Sequence, residues 1–429
     1  MSDIYLQLVE QLNDNDVNLR LESLRKLMAM VDSGELARPV NGGHVNNHIH
    51  TTYSFSPYSP SKAIWMAYTS GLTTAGIIDH DSISGAKEFI EAGKIIGMAT
   101  TIGAECRVDF SATPLKDRKI NNPDQKSVAY MTLHGIPHTK IGEVSEFFRP
   151  YLAERNKRNA LMVERINRLL SSAGVTLDFD RDVLPLSRFS EGGSVTERHI
   201  LFGLSLKLVD KFGKGEKLVS FLKNAMKLAV SAKLENLLLD PQNPYYEYDL
   251  LGLLKGEMVE AFYIDATAEC PDVKDVLRLA QSIGAISAYA YLGDVGDSVT
   301  GDKKSQKFED SYIYELFDLL KELGFNAVTY MPSRNTMEQL RRIKDLCGKH
   351  GLFQISGEDI NSPRQSFVCK AMENKEFDNL VESTWALIGH EKAATEDITK
   401  GMFSQETIRR YPELEERTRV FKEIGLASR

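Results

Sequence analysis

The sequence predicts an α/β protein: a barrel of strands carrying a helical insertion, with helical extensions at both ends. Three observations predict it. Short apolar runs alternate with helical stretches from residue 44 to about residue 140. The alternation stops there and returns near residue 250. The His, Asp and Glu residues of the alternating part gather where predicted strands end, the edge at which βα loops build a barrel's active site. Scattered structural histidines would not concentrate at one edge, so a closed barrel is preferred to an open doubly wound sheet.

Residues 1–43 form a helical N-terminal extension. Leu21, Leu24, Met28 and Val31 recur at three- and four-residue spacing, a helical stripe. Asn13-Asp14-Asn15-Asp16 separates two helices and offers caps to the second. Gly42-Gly43 marks the boundary to the barrel, read over 44–368.

Within the barrel, His44–His50 reads as a strand, Ser61–Gly71 as a helix and Thr74–Asp79 as a strand. Gly85–Gly97 reads as a helix, and Thr101–Phe110 and Val128–His134 as strands. Strands alternating with helices indicate parallel βαβ units. Residues 140–250 are charged and helical, ending near the Pro241–Pro244 breaker, and read as an insertion. The rhythm then resumes. Strands are expected at Val259–Asp265, Ala285–Leu292, Asn326–Met331 and Leu352–Gly357. Helices are expected at Val273–Ile283, Asp310–Leu323 and Met337–His350. The count is seven or eight strands, and residues 369–429 form a helical C-terminal extension.

Composition narrows the function. The 429 residues are 42% hydrophobic and 26% charged, which is ordinary for a globular chain. The net charge of −8 disfavours a nucleic-acid polymer as partner, because phosphate-backbone binding needs basic surface. A local basic pocket for a small phosphate stays compatible with it. Four distant cysteines form no CxxC pair, which excludes a zinc ribbon and disfavours a disulfide framework. No window is apolar enough to span a bilayer and the start lacks signal-peptide character, so a cytoplasmic protein without a membrane partner is expected.

The chemistry gathers at strand ends. His48 and His50 lie two apart on a strand, so their imidazoles share a face and suit one metal. An HxH triplet alone is weak. Asp79 and His80 end the second strand, Glu105 the third and His134 the fourth, while Asp359 follows the last. Histidine and carboxylate donors without cysteine favour Zn²⁺, Mn²⁺ or Fe. The helix 154–168, rich in Glu and Arg, reads as a solvated face.

The segments HIHTTYS, IIDHDSISG, IGAEC, TLHG, ISAYA and SGEDIN resemble, in order, the signatures of the PHP (polymerase and histidinol phosphatase) superfamily of metal-dependent phosphoesterases. The resemblance runs from about residue 44 to 368. It implies a distorted (β/α)₇ TIM-like barrel with up to three metals in its mouth. It also implies that His48, His50, Glu105 and Asp359 complete one metal site, and that Glu105 bridges to a second with His134. Three positions depart from the pattern. Phe55 stands where an Asp is usual, Tyr289 where a His would be the second site's third ligand, and Asn361 where the last His falls. His80 alone survives of the third site. One or two divalent ions are therefore expected.

The resemblance further implies that Arg198 or His199, in the insertion's Ser194–Ile200 segment, holds a phosphate oxygen. Arg364, close after Asp359, is a further candidate for substrate binding. The expected function is hydrolysis of a small phosphorylated substrate, a phosphate ester, by metal-activated water. Glu105 would bridge the ions, and His80 or the Asp79–His80 pair would orient a ligand or protonate the leaving alcohol. Two alternatives stand beside it. One is a metal-dependent hydrolase of a non-phosphate bond on the same barrel. The other is a non-catalytic PHP-like module that binds a ligand or partner. The charged terminal helices offer surfaces for such contact or for oligomerisation.

Overall fold

A computed structural model describes residues 3–295 and 306–427. Two helices, α1 (Asp3–Gln11) and α2 (Val17–Asp32), precede the sheet, and Asp16 caps the second through Asn18 N–H. Then come β1 (His44–Ile49), α3 (Pro60–Thr69), β2 (Leu72–His80), α4 (Ala86–Ile96), β3 (Ala99–Asp109) and β4 (Val128–His134). The insertion holds α5 (Ile141–Leu169), α6 (Glu197–Phe212), α7 (Glu216–Ser220), α8 (Ala232–Leu239) and α9 (Tyr246–Phe262). The second half holds α10 (Val273–Ile283), β5 (Ile286–Ala290), α11 (Ile313–Leu323), β6 (Ala327–Tyr330), α12 (Met337–His350) and β7 (Phe353–Ser356). The chain ends in α13 (Asp378–Glu396), α14 (Gln405–Arg410) and α15 (Leu414–Leu426). No described helix is long and apolar enough to cross a membrane.

Among the described residues, seven strands form one curled sheet in the order β1 to β7. Two expectations need correction. The strand expected at Val259–Asp265 is absent, because α9 runs through Phe262. Leu250, Leu254, Met258 and Phe262 are buried at four-residue spacing, so the apolar run belongs to a helix face. The sheet is also not all parallel. β4 pairs antiparallel with both β3 and β5. A parallel neighbour needs a crossover connection, and no helix separates β3 from β4.

The two edges of the sheet meet at a single bridge rather than a ladder. Ile49 pairs with Ile360: Ile360 N–H donates to His48 O at 3.1 Å, and His50 N–H to Ile360 O at 3.0 Å. Asn46 and Asn47 stitch the rest of the seam. The Asn46 side chain accepts from Glu358 N–H and donates to Glu358 O, and Asn47 Nδ2 donates to Ser356 O.

One apolar core lies around the sheet and its helices, the insertion has a second, centred on α6 and α9, and a third packs α13 and α15 against β5–β7. The C-terminal helices are not set apart from the sheet. β4 ends opposite Gly103, leaving Thr101 and Ile102 of β3 without a strand on that side. Glu391 of α13 fills the gap, accepting from Thr101 Oγ1 at 2.6 Å and Ile102 N–H at 2.8 Å. A buried backbone N–H left unpaired would be costly. The Glu391 side chain is itself buried, with its other oxygen 2.8 Å from His138 Nε2.

Candidate metal centre

The geometry follows from register. His80 closes β2 directly beside Glu105, so both side chains rise at the place where β2 stops and β3 continues. Glu105 therefore lies within β3 rather than at its end. Thr132 pairs with Glu105 and His134 with Gly103, which puts His134 on the same face as Glu105, two residues deeper. The Ile49–Ile360 bridge brings Asp359 alongside His50. Asp81, directly after His80, has a φ of 50° and donates its N–H to Glu105 O at 2.7 Å. This left-handed residue turns the chain out of the strand, a conformation uncommon for a residue with a Cβ.

His48, His50, Glu105, Asp359 and His80 converge. His50 Nε2 lies 3.1 Å from Asp359 Oδ1 and 3.8 Å from Glu105 Oε2. His48 Nε2 and His80 Nδ1 lie 3.6 Å and 3.1 Å from that same Glu105 oxygen. The His48 and His50 rings meet edge-on at 5.0 Å, and His50 stacks on His80 at 4.5 Å. Two sets of donors, His48/His50/Asp359 and His50/His80/Glu105, have ligand atoms within 4.8 Å of one another. His134 joins neither set.

The Nε2 atoms of His48 and His50, and both ring nitrogens of His134, are buried without a hydrogen-bond partner. Buried nitrogens facing carboxylates without such bonding are what a divalent cation would satisfy, and histidine with carboxylate is a fitting donor set. The electrostatics agree. Burial opposes ionisation of Glu105, but His80 and His48 outweigh it and hold its pKa at about 2. Burial likewise opposes ionisation of Asp359, and His50 pulls it well below the usual range. Both carboxylates are thus anionic at neutral pH. Burial lowers His134 to about 3, which leaves its ring neutral, the form that ligates.

Several expected roles change. The Asp79 carboxylate is committed to the loop after β1, accepting from Thr51 N–H, Thr51 Oγ1 and Ser54 Oγ at 2.6–2.7 Å, so it is not free to serve a leaving group. Desolvation lowers His80 to about 3, so its ring is neutral at neutral pH, a form that could ligate and has no proton to spare for a leaving alcohol. His199 caps α6: its Nδ1 accepts from Thr196 N–H at 3.0 Å, and its ring is buried against Phe55. Arg364 forms a two-pronged pair with Asp249, both contacts 2.7 Å, and lies over Tyr245, joining insertion to barrel. Arg198 alone of these is uncommitted. It is half-buried, forms no hydrogen bond or ion pair among the described residues, and its charge acts on Asp359.

The three departing positions are also resolved. Phe55 packs into the insertion's core against His199 and Phe202. Tyr289 pairs with Met131, which pairs with Cys106, so it points to the sheet face opposite Glu105 and is no ligand in the mouth. Its hydroxyl donates to the buried Glu309 at 3.3 Å. Asn361 Nδ2 donates to Asp359 Oδ1 at 2.6 Å and so orients a donor.

Sequence reasoning missed a buried ionic cluster above Glu105. Arg107, Arg155 and Arg158 interlock with Asp81, Glu197 and Glu269, three cations with three anions. The helix read as solvated buries Arg155 and Arg158 on the same face as Met162 and Ile166. That three- and four-residue spacing with apolar residues was the available signal.

No protein-family model matches the chain, and no curated protein does. Among solved structures, a protein from Bifidobacterium adolescentis assigned as a metal-dependent phosphoesterase matches with a TM-score of 0.50 at 19% identity. The match covers 78% of this chain and 96% of that one. An amidohydrolase from Chromobacterium violaceum, with bound sulfate and no metal, matches at a TM-score of 0.47 and 15% identity, over 76% of this chain and 90% of that one. The first likeness establishes a shared fold; the second is too distant to add to it.

Proposed function

We propose that the protein is a metal-dependent hydrolase of the PHP kind, acting on a small phosphate ester from a closed seven-stranded barrel. One observation carries the reading: His48, His50, Glu105 and Asp359 converge with buried ring nitrogens that no protein group satisfies. His48, His50 and Asp359 would hold one ion. Glu105 would bridge toward a second, with His80 on one side and His134 deeper in the barrel. A divalent ion bound there would activate water and neutralise charge on the transferring group.

The chain's own residues do the remaining work. Asn361 fixes the Asp359 oxygen nearest His50. Arg198 holds a substrate anion, since a guanidinium offers paired N–H donors that match a phosphate's oxygens. An uncommitted arginine at the mouth favours phosphate over a neutral amide.

The test is metal analysis of the purified protein, followed by a phosphomonoester panel with Mn²⁺, Zn²⁺ and Fe²⁺. One or two ions per chain and turnover of at least one ester are expected. Absence of both would leave the ligand-binding module as the better account. Turnover of amides but not of esters would transfer the site to a non-phosphate hydrolase.

A further inference from the structure

The loop that follows β1 contains a hydroxyl with no assigned task. Ser54 is fully buried, four residues after His50, and its Oγ lies 3.3 Å from His50 Nδ1 and 2.6 Å from Asp79 Oδ1. We propose that Ser54 and Asp79 are positioning residues for His50, a hydrogen-bonded relay that fixes both the orientation of the ring and the nitrogen that carries its proton. The inference rests on the metal-dependent reading above.

The proton directions follow by elimination. Thr51 N–H and Thr51 Oγ1 already donate to Asp79 at 2.7 Å and 2.6 Å. A carboxylate only accepts, so the single proton of Ser54 points at Asp79. The Ser54 oxygen can then only accept from His50. The proton of the neutral ring therefore sits on Nδ1, and Nε2 turns its lone pair inward. That nitrogen is buried and has no hydrogen-bond partner, although Asp359 Oδ1 is 3.1 Å away and Glu105 Oε2 3.8 Å. Close approach without hydrogen-bonding geometry is how ligand atoms face a common centre. A ligating histidine usually has its other nitrogen held by a carboxylate or carbonyl. Here the carboxylate acts through an interposed serine.

The experiment uses the full chain. In the metal-free protein at alkaline pH, ¹⁵N chemical shifts of His50 are expected to show the Nδ1–H tautomer. Ser54→Ala removes one oxygen and leaves both Thr51 bonds to Asp79, so the loop stays anchored. It is expected to move the ring toward the Nε2–H form and to weaken Zn²⁺ binding, read by chelator competition, about tenfold. Ser54→Thr, which keeps the hydroxyl, is expected to restore both. An Nε2–H tautomer in the unsubstituted protein would overturn the relay, as would a Ser54→Ala protein that binds Zn²⁺ as tightly as its parent. If the unsubstituted protein takes up no Zn²⁺, the metal-dependent reading fails, while the tautomer measurement still decides the relay.

Discussion

Gly357 passes so close to His48 that a Cβ at position 357 would stand 2.6 Å from the His48 Cβ and 2.7 Å from its backbone nitrogen. Backbone cannot yield as a flexible side chain does, so Gly357→Ala must push the chain after β7 away from β1. Asp359 rides on that chain, held beside His50 by the Ile49–Ile360 bridge. The substitution is expected to cost about 1–3 kcal/mol, as overpacking does. It is also expected to weaken divalent-metal binding beyond what the loss of stability explains. Calorimetric metal titration beside thermal unfolding separates the two effects.

Removing a proposed ligand should act differently. His50→Ala is expected to abolish tight metal uptake and turnover while the chain keeps its fold, because the ring faces other polar donors. Metal content and circular dichroism of the purified variant check this. A His50→Ala protein with full activity would end the metal-dependent reading.

Arg198→Ala is expected to raise KM for a phosphate ester more than it lowers kcat. A charge-assisted hydrogen bond contributes about 1.5–3 kcal/mol, so a rise of roughly ten- to a hundredfold is the scale. A fall in kcat alone would place the arginine in the transition state instead.

Arg20 and Glu88 pair through two contacts, Nε to Oε1 at 2.8 Å and Nη2 to Oε2 at 2.5 Å, with both side chains buried. The pair ties α2 to α4, and Ser61 donates to the same carboxylate. Arg20→Ala would strand a buried anion, at a cost of about 3–5 kcal/mol. Denaturant unfolding should register the loss.

Glu309 supplies a pH dependence outside the histidine and carboxylate cluster. It is fully buried, Oε1 accepts from Leu292 and Gly293 N–H, and Oε2 has no partner. Burial raises its pKa from 4.5 to about 7. A raised carboxyl pKa means the folded state binds the proton more tightly than the unfolded chain. The contribution is therefore complete below about pH 4.5 and is lost as pH rises through 7. The scale is about 3 kcal/mol for a shift of this size. Glu309→Gln should gain stability relative to its parent between pH 5 and pH 8.5. Equal melting temperatures for the two proteins across that range would refute it.

Much of this was written locally in the chain. His48 and His50 were legible because strand period and metal chemistry coincide. Asp359 was legible because it follows the last apolar run. Strand direction was not, since β4 has the same local pattern whichever way it runs; only the missing helix before it hinted at the reversal. The Val259–Asp265 misreading arose where the apolar end of a helix face is too short to separate from a strand. Arg364 could not be placed, because its partner Asp249 lies 115 residues away. Ser54 was passed over since a lone serine in a polar loop carries no signal until its neighbours are known.

The seat of Glu391 beneath β3 sets a timetable for biosynthesis. Ile102 N–H finds its acceptor 289 residues later in the chain. At about 5–20 residues per second, translation takes roughly 15–60 s to make that stretch. Until then the lower edge of β3 is open on the nascent protein. A ribosome-bound chain arrested before α13 therefore carries an unfinished sheet however much of the histidine and carboxylate cluster it has already made. Chaperone capture and proteolysis of stalled chains should concentrate on the β3 edge and ease once residues 378–396 have left the exit tunnel.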